Sequence, residues 1–260
     1  MIATHARPIL HVVEREVVVF RRLWRGWVFS LFLNPVLYLA AMGVGLGNLV
    51  DQHAGTVEGL TYLEFVAPGM LVAVATQVAA GEGMWPVLGG VKWIGNFHGT
   101  VATAITADEV LYGFVLWVSL RTMVGAVPFL LVAALLGGIP SAWGVLAIPV
   151  VGLCAAAFCA PLSAYSVMLD SDLSFPLIMR IGVLPLFLFS GTFYPISQLP
   201  DALQPIAQLS PLYHAVALAR DATTGTFDLG PDVVHVAVLV GCIVAGLAWG
   251  RRRFERRLTT

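Results

Sequence analysis

Two residues within long apolar stretches have side chains that could form a catalytic pair. Ser190, in LFSGTF, and His235 would supply a nucleophile and its base if the segments carrying them met within hydrogen-bond reach. The sequence lacks the glycine two positions before Ser190 that would hold a nucleophilic serine in a strained turn. We therefore interpret Ser190 as a helix-packing residue, and an intramembrane protease is the alternative.

Other chemistry that depends on particular residues is poorly represented. The only lysine, Lys92 in GGVKW, is not followed by Ser or Thr and lacks the spaced glycine of a phosphate-binding loop, so the chain is not expected to hydrolyse ATP. The cysteines, Cys154, Cys159 and Cys242, all lie in apolar runs. They are interpreted as small packing residues, not as disulfides or metal ligands, and no cofactor is expected on this chain.

Two arginines, Arg121 and Arg180, interrupt apolar runs. A buried charge in a membrane needs a partner and suggests a functional role. Arg180 is near one end of its run, where its head group could extend to the interface. Arg121 lies deeper, and its candidate partners are Glu82, Glu109 and the pair Asp170 and Asp172. A structural ion pair and a functional charge both remain open.

The elements that position these residues are predicted to be membrane helices. Of 260 residues, 58% are hydrophobic and 11% charged, against about 25% charged in an average soluble domain. Residues 122–169 contain no charged side chain, and GGIPSAW at 137–143 divides this run into two spans. Spans of about 20 residues are predicted at approximately 27–46, 60–80, 111–136, 144–168, 175–192 and 233–249.

The arginines predict the orientation. Five lie within the first 25 residues and five within the last ten. Because positive charge stays in the cytoplasm, both termini are predicted to be inside, which requires an even number of spans and supports six. Residues 5–25 have a basic and an apolar side, and they are predicted to form an amphipathic helix in the membrane surface. A plain cytoplasmic extension of the first span is the alternative.

Two connecting segments are too polar to cross the membrane. Residues 81–110 are predicted to form a cytoplasmic loop with short helices. Residues 193–231 would then be external, with two short helices entering the outer leaflet, because Pro200-Asp201 and Ser210-Pro211 both suit helix starts. An amphipathic loop lying on the surface is the alternative for this segment.

Three stretches resemble a known family. They are YLEFVAPGML (62–71), HGTVATAITADEVLYGFVLWVSLR (98–121) and LPLFLFSGTFYPISQLPDALQPIAQLSPLYHAVALAR (184–220). Together with the predicted topology, they resemble the ABC-2 type exporter permeases. The third stretch is similar to the nodulation protein J and daunorubicin-type permeases. The second departs from the pattern, because TAITADEV has no proline where the family commonly has one.

The resemblance implies an all-α integral membrane protein with one transmembrane domain over residues 1–260. Such a permease pairs with a second copy or a sister permease, and it binds a separate P-loop ATPase that carries ATP and Mg²⁺. It implies that the 81–110 segment docks the ATPase, with candidate residues Glu82, Trp85, Lys92 and Trp93. It also implies that the 193–231 hairpin gates the exit, with candidates Tyr194, Leu199, Leu203, Leu212 and Tyr213. Alternatively, these five residues only anchor the hairpin at the interface.

The expected function is therefore export across the cell membrane. The expected substrate is amphipathic: a lipid, a drug or a lipid-linked saccharide. Membrane lipid is an expected partner and nucleic acid is not. An ion-coupled secondary transporter is the alternative, although acidic residues at mid-membrane or an internal repeat with broken helices would then be expected.

Overall fold

The computed structural model describes residues 7–22, the single positions 37, 39, 41 and 45, and residues 55–259. Over these residues the fold is helical, and the only β-type pairing is an isolated bridge between Val57 and Leu60. The predicted first span, 27–46, lies almost wholly outside the described residues, as do both ends of the predicted 5–25 helix. The remainder of this predicted helix, residues 7–22, is helical and is named α1.

The helices follow each other with short connections. The long helices after α1 are α2 Tyr62–Leu88, α4 Ala107–Leu135, α5 Ala147–Ser166 and α9 Leu229–Leu258; the shorter ones are α3 Asn96–Val101, α6 Phe175–Phe189, α7 Gln204–Gln208 and α8 Pro211–Thr224. A π-helical turn, Gly89–Trp93, continues α2, and a π-helical segment, Ile178–Val183, lies within α6. Two 3₁₀ turns complete the description: Ala142–Leu146, which leads into α5, and Ile196–Gln198.

Local sequence sets where several helices begin. Thr61 and Glu64 form a capping box at the start of α2, in which the Thr61 amide donates to Glu64 Oε2 at 2.8 Å. Ser210 caps α8 by accepting from the Leu212 amide at 3.1 Å, with Pro211 in the first turn as predicted. Asp201, by contrast, lies in a turn, and α7 begins only at Gln204.

Four of the described helices are long and apolar enough to cross a membrane: Tyr62–Trp93, Ala107–Leu135, Ala142–Ser166 and Leu229–Leu258. They match the second, third, fourth and sixth predicted spans. The predicted fifth span, 175–192, corresponds to α6, which is apolar but shorter. At about 1.5 Å per residue, α6 by itself does not cover a hydrocarbon core of about 30 Å.

Residues 81–93 differ from the prediction of a loop, because α2 continues through them as a helix. Close packing against α5 supports this extension. A Cβ at Gly83 would lie 2.9 Å from the Cys159 carbonyl oxygen, so the two backbones approach as only small residues permit. Gly83 therefore permits close helix packing within a segment whose polarity predicted a loop.

The helix α5 is central and packs against α2, α4 and α9. Its buried side chains are mostly small, including Ala155, Ala160 and Cys159. On the α9 side, a Cβ at Gly246 would lie 2.7 Å from the Pro161 ring. Close backbone approach is how helices associate in a medium where burial of apolar surface from water gives no driving force.

The bundle has two chemically different ends. One carries α1, α3, residues 170–174 and the C-terminal arginines of α9, and is called the arginine-rich end. At this end Arg257 contacts Asp170 and Arg251 lies near Asp108. The other, called the hairpin end, carries residues 190–228, and there the Ser141 amide donates to the Thr223 carbonyl at 3.0 Å.

Candidate functional sites at the two ends of the bundle

The end of α2, Gly95 and α3 form a projection at the arginine-rich end. Gly95, with φ of +69°, reverses the chain after α2, and α3 folds back onto it. The Phe97 ring is buried between the rings of Phe114 and Phe254, at centroid distances of 5.9 and 6.2 Å. This aromatic packing holds the turn firmly against α4 and α9.

Two apolar side chains stand exposed on this projection. Trp93 is 59% exposed and Ile94 is 74% exposed. We call this pair the tip. An exposed tryptophan beside an exposed isoleucine, on a turn fixed by buried aromatic rings, has the character of a protein-contact surface. Of the four residues predicted to couple to an ATPase, Trp93 is the one the structure places there.

The other three predicted coupling residues make contacts within the chain. Lys92 Nζ lies 2.6 Å from Asp170 Oδ1. Trp85 Nε1 donates to Asp172 Oδ2 at 3.3 Å, and the Trp85 ring meets Phe175 edge-on at 5.2 Å. These contacts join the end of α2 to the loop before α6. Lys92 and the nearby arginine of α9 lower the pKa of the Asp170 carboxyl group.

Glu82 pairs with Arg121 inside the bundle. Arg121 Nη2 lies 2.5 Å from Glu82 Oε1, and their side chains are only 9% and 18% exposed, respectively. The pair joins α2 to α4 and gives Arg121 one of the four partners considered from the sequence. Arg180, the second arginine predicted to lie in a span, is exposed on the π-helical segment of α6.

The amphipathic helix α1 packs on α4 and α3. Val12 of α1 is buried where a Cβ at Gly113 would come within 2.6 Å of it. Phe20 contacts the Trp117 ring edge-on at 5.7 Å. Arg15 Nη1 donates to Thr100 Oγ1 at 3.2 Å, so α1 is also linked to the projection that carries the tip.

At the hairpin end, Arg220 of α8 ties three segments together. Its Nη2 donates to the carbonyl oxygens of Gly191 at 2.7 Å and Phe65 at 3.2 Å. Its guanidinium group also lies 3.8 Å from the centroid of the Phe65 ring. Burial lowers the Arg220 pKa to about 10, so the side chain is still cationic at neutral pH. The start of α2 is thereby held to the hairpin.

The proposed serine–histidine pair is absent. Ser190 Oγ donates to Ser210 Oγ at 3.2 Å, and the Nδ1 atoms of His235 and His214 lie 2.6 Å apart. Each side chain thus has a partner that joins the hairpin to a neighbouring helix. These contacts support the packing role inferred for Ser190, and they do not provide the serine–histidine pair on which the intramembrane protease alternative rested.

The five predicted gate residues are not equivalent. Leu199 and Leu212 are buried inside the hairpin, and Tyr194 is partly buried. Tyr213 contacts the rings of both His214 and His235 edge-on. Only Leu203 is exposed, and it heads a stripe along α7 whose members share a spacing of three residues: Leu203, Ile206 and Leu209. We call this set the α7 stripe.

An acidic pair lies where α8 meets α9. Burial and the neighbouring Asp232 carboxylate raise the pKa of Asp221 to about 6. His214, two turns earlier on α8, has its pKa lowered by burial and by His235. The α8–α9 contact therefore contains one carboxyl group with a pKa of about 6 and one imidazole whose neutral form is favoured.

Sequence reasoning missed Ile94, Ile206, Leu209 and the role of Arg220. For the first three the signal was present, since each is an aliphatic residue in an otherwise polar connecting segment. The sequence shows Arg220 only as one charged residue of the polar 193–231 segment. Its contacts join positions 155 and 29 residues apart in the chain, which local pattern does not reveal.

These features define a multi-pass helical membrane protein with a fixed projection at one end and an ordered hairpin at the other. Comparison with known proteins identifies the group. A family model described as "ABC-2 type transporter" matches residues 9–223. The chain belongs to the ABC-2 type transporter family, as its sequence motifs predicted.

Curated relatives match over nearly the whole chain. Nodulation protein J of Rhizobium leguminosarum bv. viciae is 26% identical over 249 residues, which cover 93% of this chain and 94% of the relative. Nodulation protein J of Bradyrhizobium diazoefficiens is 28% identical over 252 residues, with 95% and 92% covered. The inner membrane transport permease YadH of Escherichia coli (strain K12) is 26% identical over 228 residues, covering 86% of each chain. The protein is thus an ABC-transporter permease, a multi-pass transport subunit of the cell membrane.

Proposed function

We propose that this chain is the membrane half of an ATP-driven exporter, and that a separate P-loop ATPase docks on the tip. The observation that carries the proposal is the pair of exposed apolar side chains, Trp93 and Ile94, on a rigid projection at the arginine-rich end. The positive charge of this end supports a cytoplasmic location, where ATP is available. The sequence lacks a phosphate-binding loop, which fits a partner that hydrolyses ATP and carries Mg²⁺.

Movement of the docked ATPase would be transmitted along α2. This helix runs without interruption from Tyr62 to Trp93, about 48 Å at 1.5 Å per residue. The tip is at its last turn, the Glu82–Arg121 pair ties its middle to α4, and the Phe65 carbonyl accepts from Arg220 near its start. A tilt of α2 would therefore pull on α4 and on the hairpin together.

The hairpin would act as the external gate for an amphipathic substrate. The α7 stripe offers an exposed apolar surface, including Leu209 at 79% exposure, beside polar side chains such as Gln204 and Gln208. Such a surface suits a molecule with an apolar part and a polar part. We infer a lipid, a drug or a lipid-linked saccharide as the substrate, moved outward.

A second permease subunit would cover the free face of α6. Four exposed aliphatic residues recur there with a spacing of four, three and four: Leu177, Ile181, Leu184 and Leu188. Leu184 and Leu188 are one α-helical turn apart, and the four residues together give α6 an exposed aliphatic surface suited to a helix–helix contact. A second copy of the chain or a sister permease fits this face, and the path would lie between the two halves.

The test is affinity purification in mild detergent from the native host, with mass spectrometry to identify a co-purifying P-loop ATPase. The variant Trp93→Ala/Ile94→Ala is expected to lose most of the ATPase while still inserting in the membrane. Trp143→Ala is the matched control, because Trp143 is 60% exposed but lies at the hairpin end. We expect this control to retain the ATPase.

Two results would contradict the proposal. Equal recovery of the ATPase with the tip variant and with the parent would show that docking uses another surface. An intact protein that purifies alone and moves substrate with a proton or sodium gradient but without ATP would favour the secondary transporter.

A further inference from the structure

A groove lies between α4 and α9 at the arginine-rich end. Its volume is about 740 Å³, which is within the range of small-molecule sites. One residue comes from α4, and the rest come from the last turns of α9. The full set is Tyr112, Val244, Leu247, Ala248, Trp249, Arg251, Arg252 and Glu255. None of these side chains belongs to the tip, the α7 stripe or the Arg220 contacts.

The groove changes from apolar to cationic along α9. Val244, Leu247 and Ala248 form the apolar part, and Arg251 and Arg252 follow within about one helical turn, or 5.4 Å. Trp249 lies between the two parts, with the guanidinium group of Arg253 4.4 Å from its ring centroid. Aromatic side chains with one apolar and one polar edge favour the level of lipid headgroups. Along α9 the groove is therefore apolar, then aromatic, then cationic, which matches the order of acyl chain, glycerol and phosphate in a phospholipid.

Charge at the mouth of the groove favours an anion. Arg251 Nε is 3.8 Å from Asp108 Oδ2, a long contact that leaves its side chain 63% exposed. Glu255 brings one negative charge to the lining. No acidic group pairs with Arg252 among residues 7–22 and 55–259. The lining itself carries two positive charges against one negative charge.

We propose that this groove binds one anionic phospholipid of the cytoplasmic leaflet, with an acyl chain along Val244 and Ala248 and the phosphate at Arg251 and Arg252. Basic pockets between membrane helices on the cytoplasmic side recognise such head groups. The lipid would join α4 to α9 where both leave the membrane. Such binding requires that α9 crosses the membrane with its arginines on the cytoplasmic side, whatever the substrate and whichever subunit hydrolyses ATP.

The experiment is native mass spectrometry of the purified protein titrated with phosphatidylglycerol or phosphatidylcholine. We expect one phosphatidylglycerol to be retained in preference to phosphatidylcholine. Arg251→Gln/Arg252→Gln is expected to weaken its binding roughly 30-fold, from about a tenfold factor per 1.4 kcal/mol and about 1 kcal/mol per arginine. Arg251→Lys/Arg252→Lys keeps both charges and is expected to restore most of the binding.

Two further variants separate a site from general attraction. Arg21→Gln/Arg22→Gln removes the same charge from exposed positions of α1 that do not line the groove, and it is expected to change binding less than about threefold, because salt screens exposed charges that do not contact the headgroup. Ala248→Trp changes no charge but fills the apolar part of the groove, and it is expected to weaken lipid binding. If the double arginine variant fails to insert in the membrane, Ala248→Trp still tests the proposal.

Each opposite result would overturn the proposal. Equal retention of the two lipids would show that the groove does not select an anion. Equal loss in the α1 variant would assign the preference to overall positive charge. Full binding by Ala248→Trp, together with displacement by millimolar inorganic phosphate, would assign the arginines to a soluble anion instead of a lipid.

Discussion

The Glu82–Arg121 pair permits a quantitative test of how the bundle is held together. Both side chains are largely shielded, at 18% and 9% exposure, and their charged atoms are 2.5 Å apart. Removing one partner of a buried pair leaves an uncompensated charge and typically costs about 3–5 kcal/mol. Because Glu82 keeps some exposure, we expect Glu82→Gln or Arg121→Gln to lower the free energy of unfolding by about 3 kcal/mol, the lower end of that range.

The double variant distinguishes this pair from two independent sites. Once one charge is gone, removal of the other should cost about 1 kcal/mol instead of about 3, so the double variant Glu82→Gln/Arg121→Gln should show a coupling energy of about 2 kcal/mol. The apolar replacement Glu82→Leu/Arg121→Met should be close to wild type, because buried ion pairs can often be replaced by apolar residues of similar volume. The assay is reversible unfolding in mixed micelles at increasing SDS mole fraction, followed by circular dichroism.

The control for this series is Lys92→Gln, which removes a charge from the exposed contact with Asp170. Exposed ion pairs contribute little, and the change should be near the reproducibility of the assay. The reasoning would be refuted if Glu82→Gln cost less than about 1 kcal/mol, or if the two single effects simply added.

Two further predictions concern the orientation of the chain and a carboxyl group at the hairpin end. A cysteine at Gln204 should react with an impermeant thiol reagent added outside intact cells, and a cysteine at Gly95 should not; the reverse pattern would overturn the orientation with both termini inside. Because the pKa of Asp221 is raised from 3.8 to about 6, its contribution to stability is fully present below pH 3.8 and is lost as pH rises through 6. Asp221→Asn should therefore raise the melting temperature at pH 7.5 but leave it nearly unchanged at pH 4. The control is Asp201→Asn, because Asp201 lies in an exposed turn. A lower melting temperature for Asp221→Asn than for the wild type at pH 7.5 would contradict the prediction.

Local features of the sequence determined the class of protein and much of its helical layout. Hydropathy depends only on composition along the chain, so the helices at 62–93, 107–135, 142–166 and 229–258 matched predicted spans. Caps depend on neighbouring residues, so Ser210 and Pro211 marked the start of α8 correctly. Family membership was also visible, because its motifs are short continuous stretches.

Tertiary contacts decided which side chains meet. Four carboxylates were candidate partners for Arg121, and only the packing of α2 on α4 selected Glu82. The polarity of residues 81–110 predicted a loop, yet the contact of Gly83 with Cys159 on α5 accompanies a helix that continues through residues 81–93. Such contacts join residues far apart in the chain, so no local pattern records them. The same reason explains why the sequence named Trp93 but not the buried rings of Phe97, Phe114 and Phe254 that hold it in place.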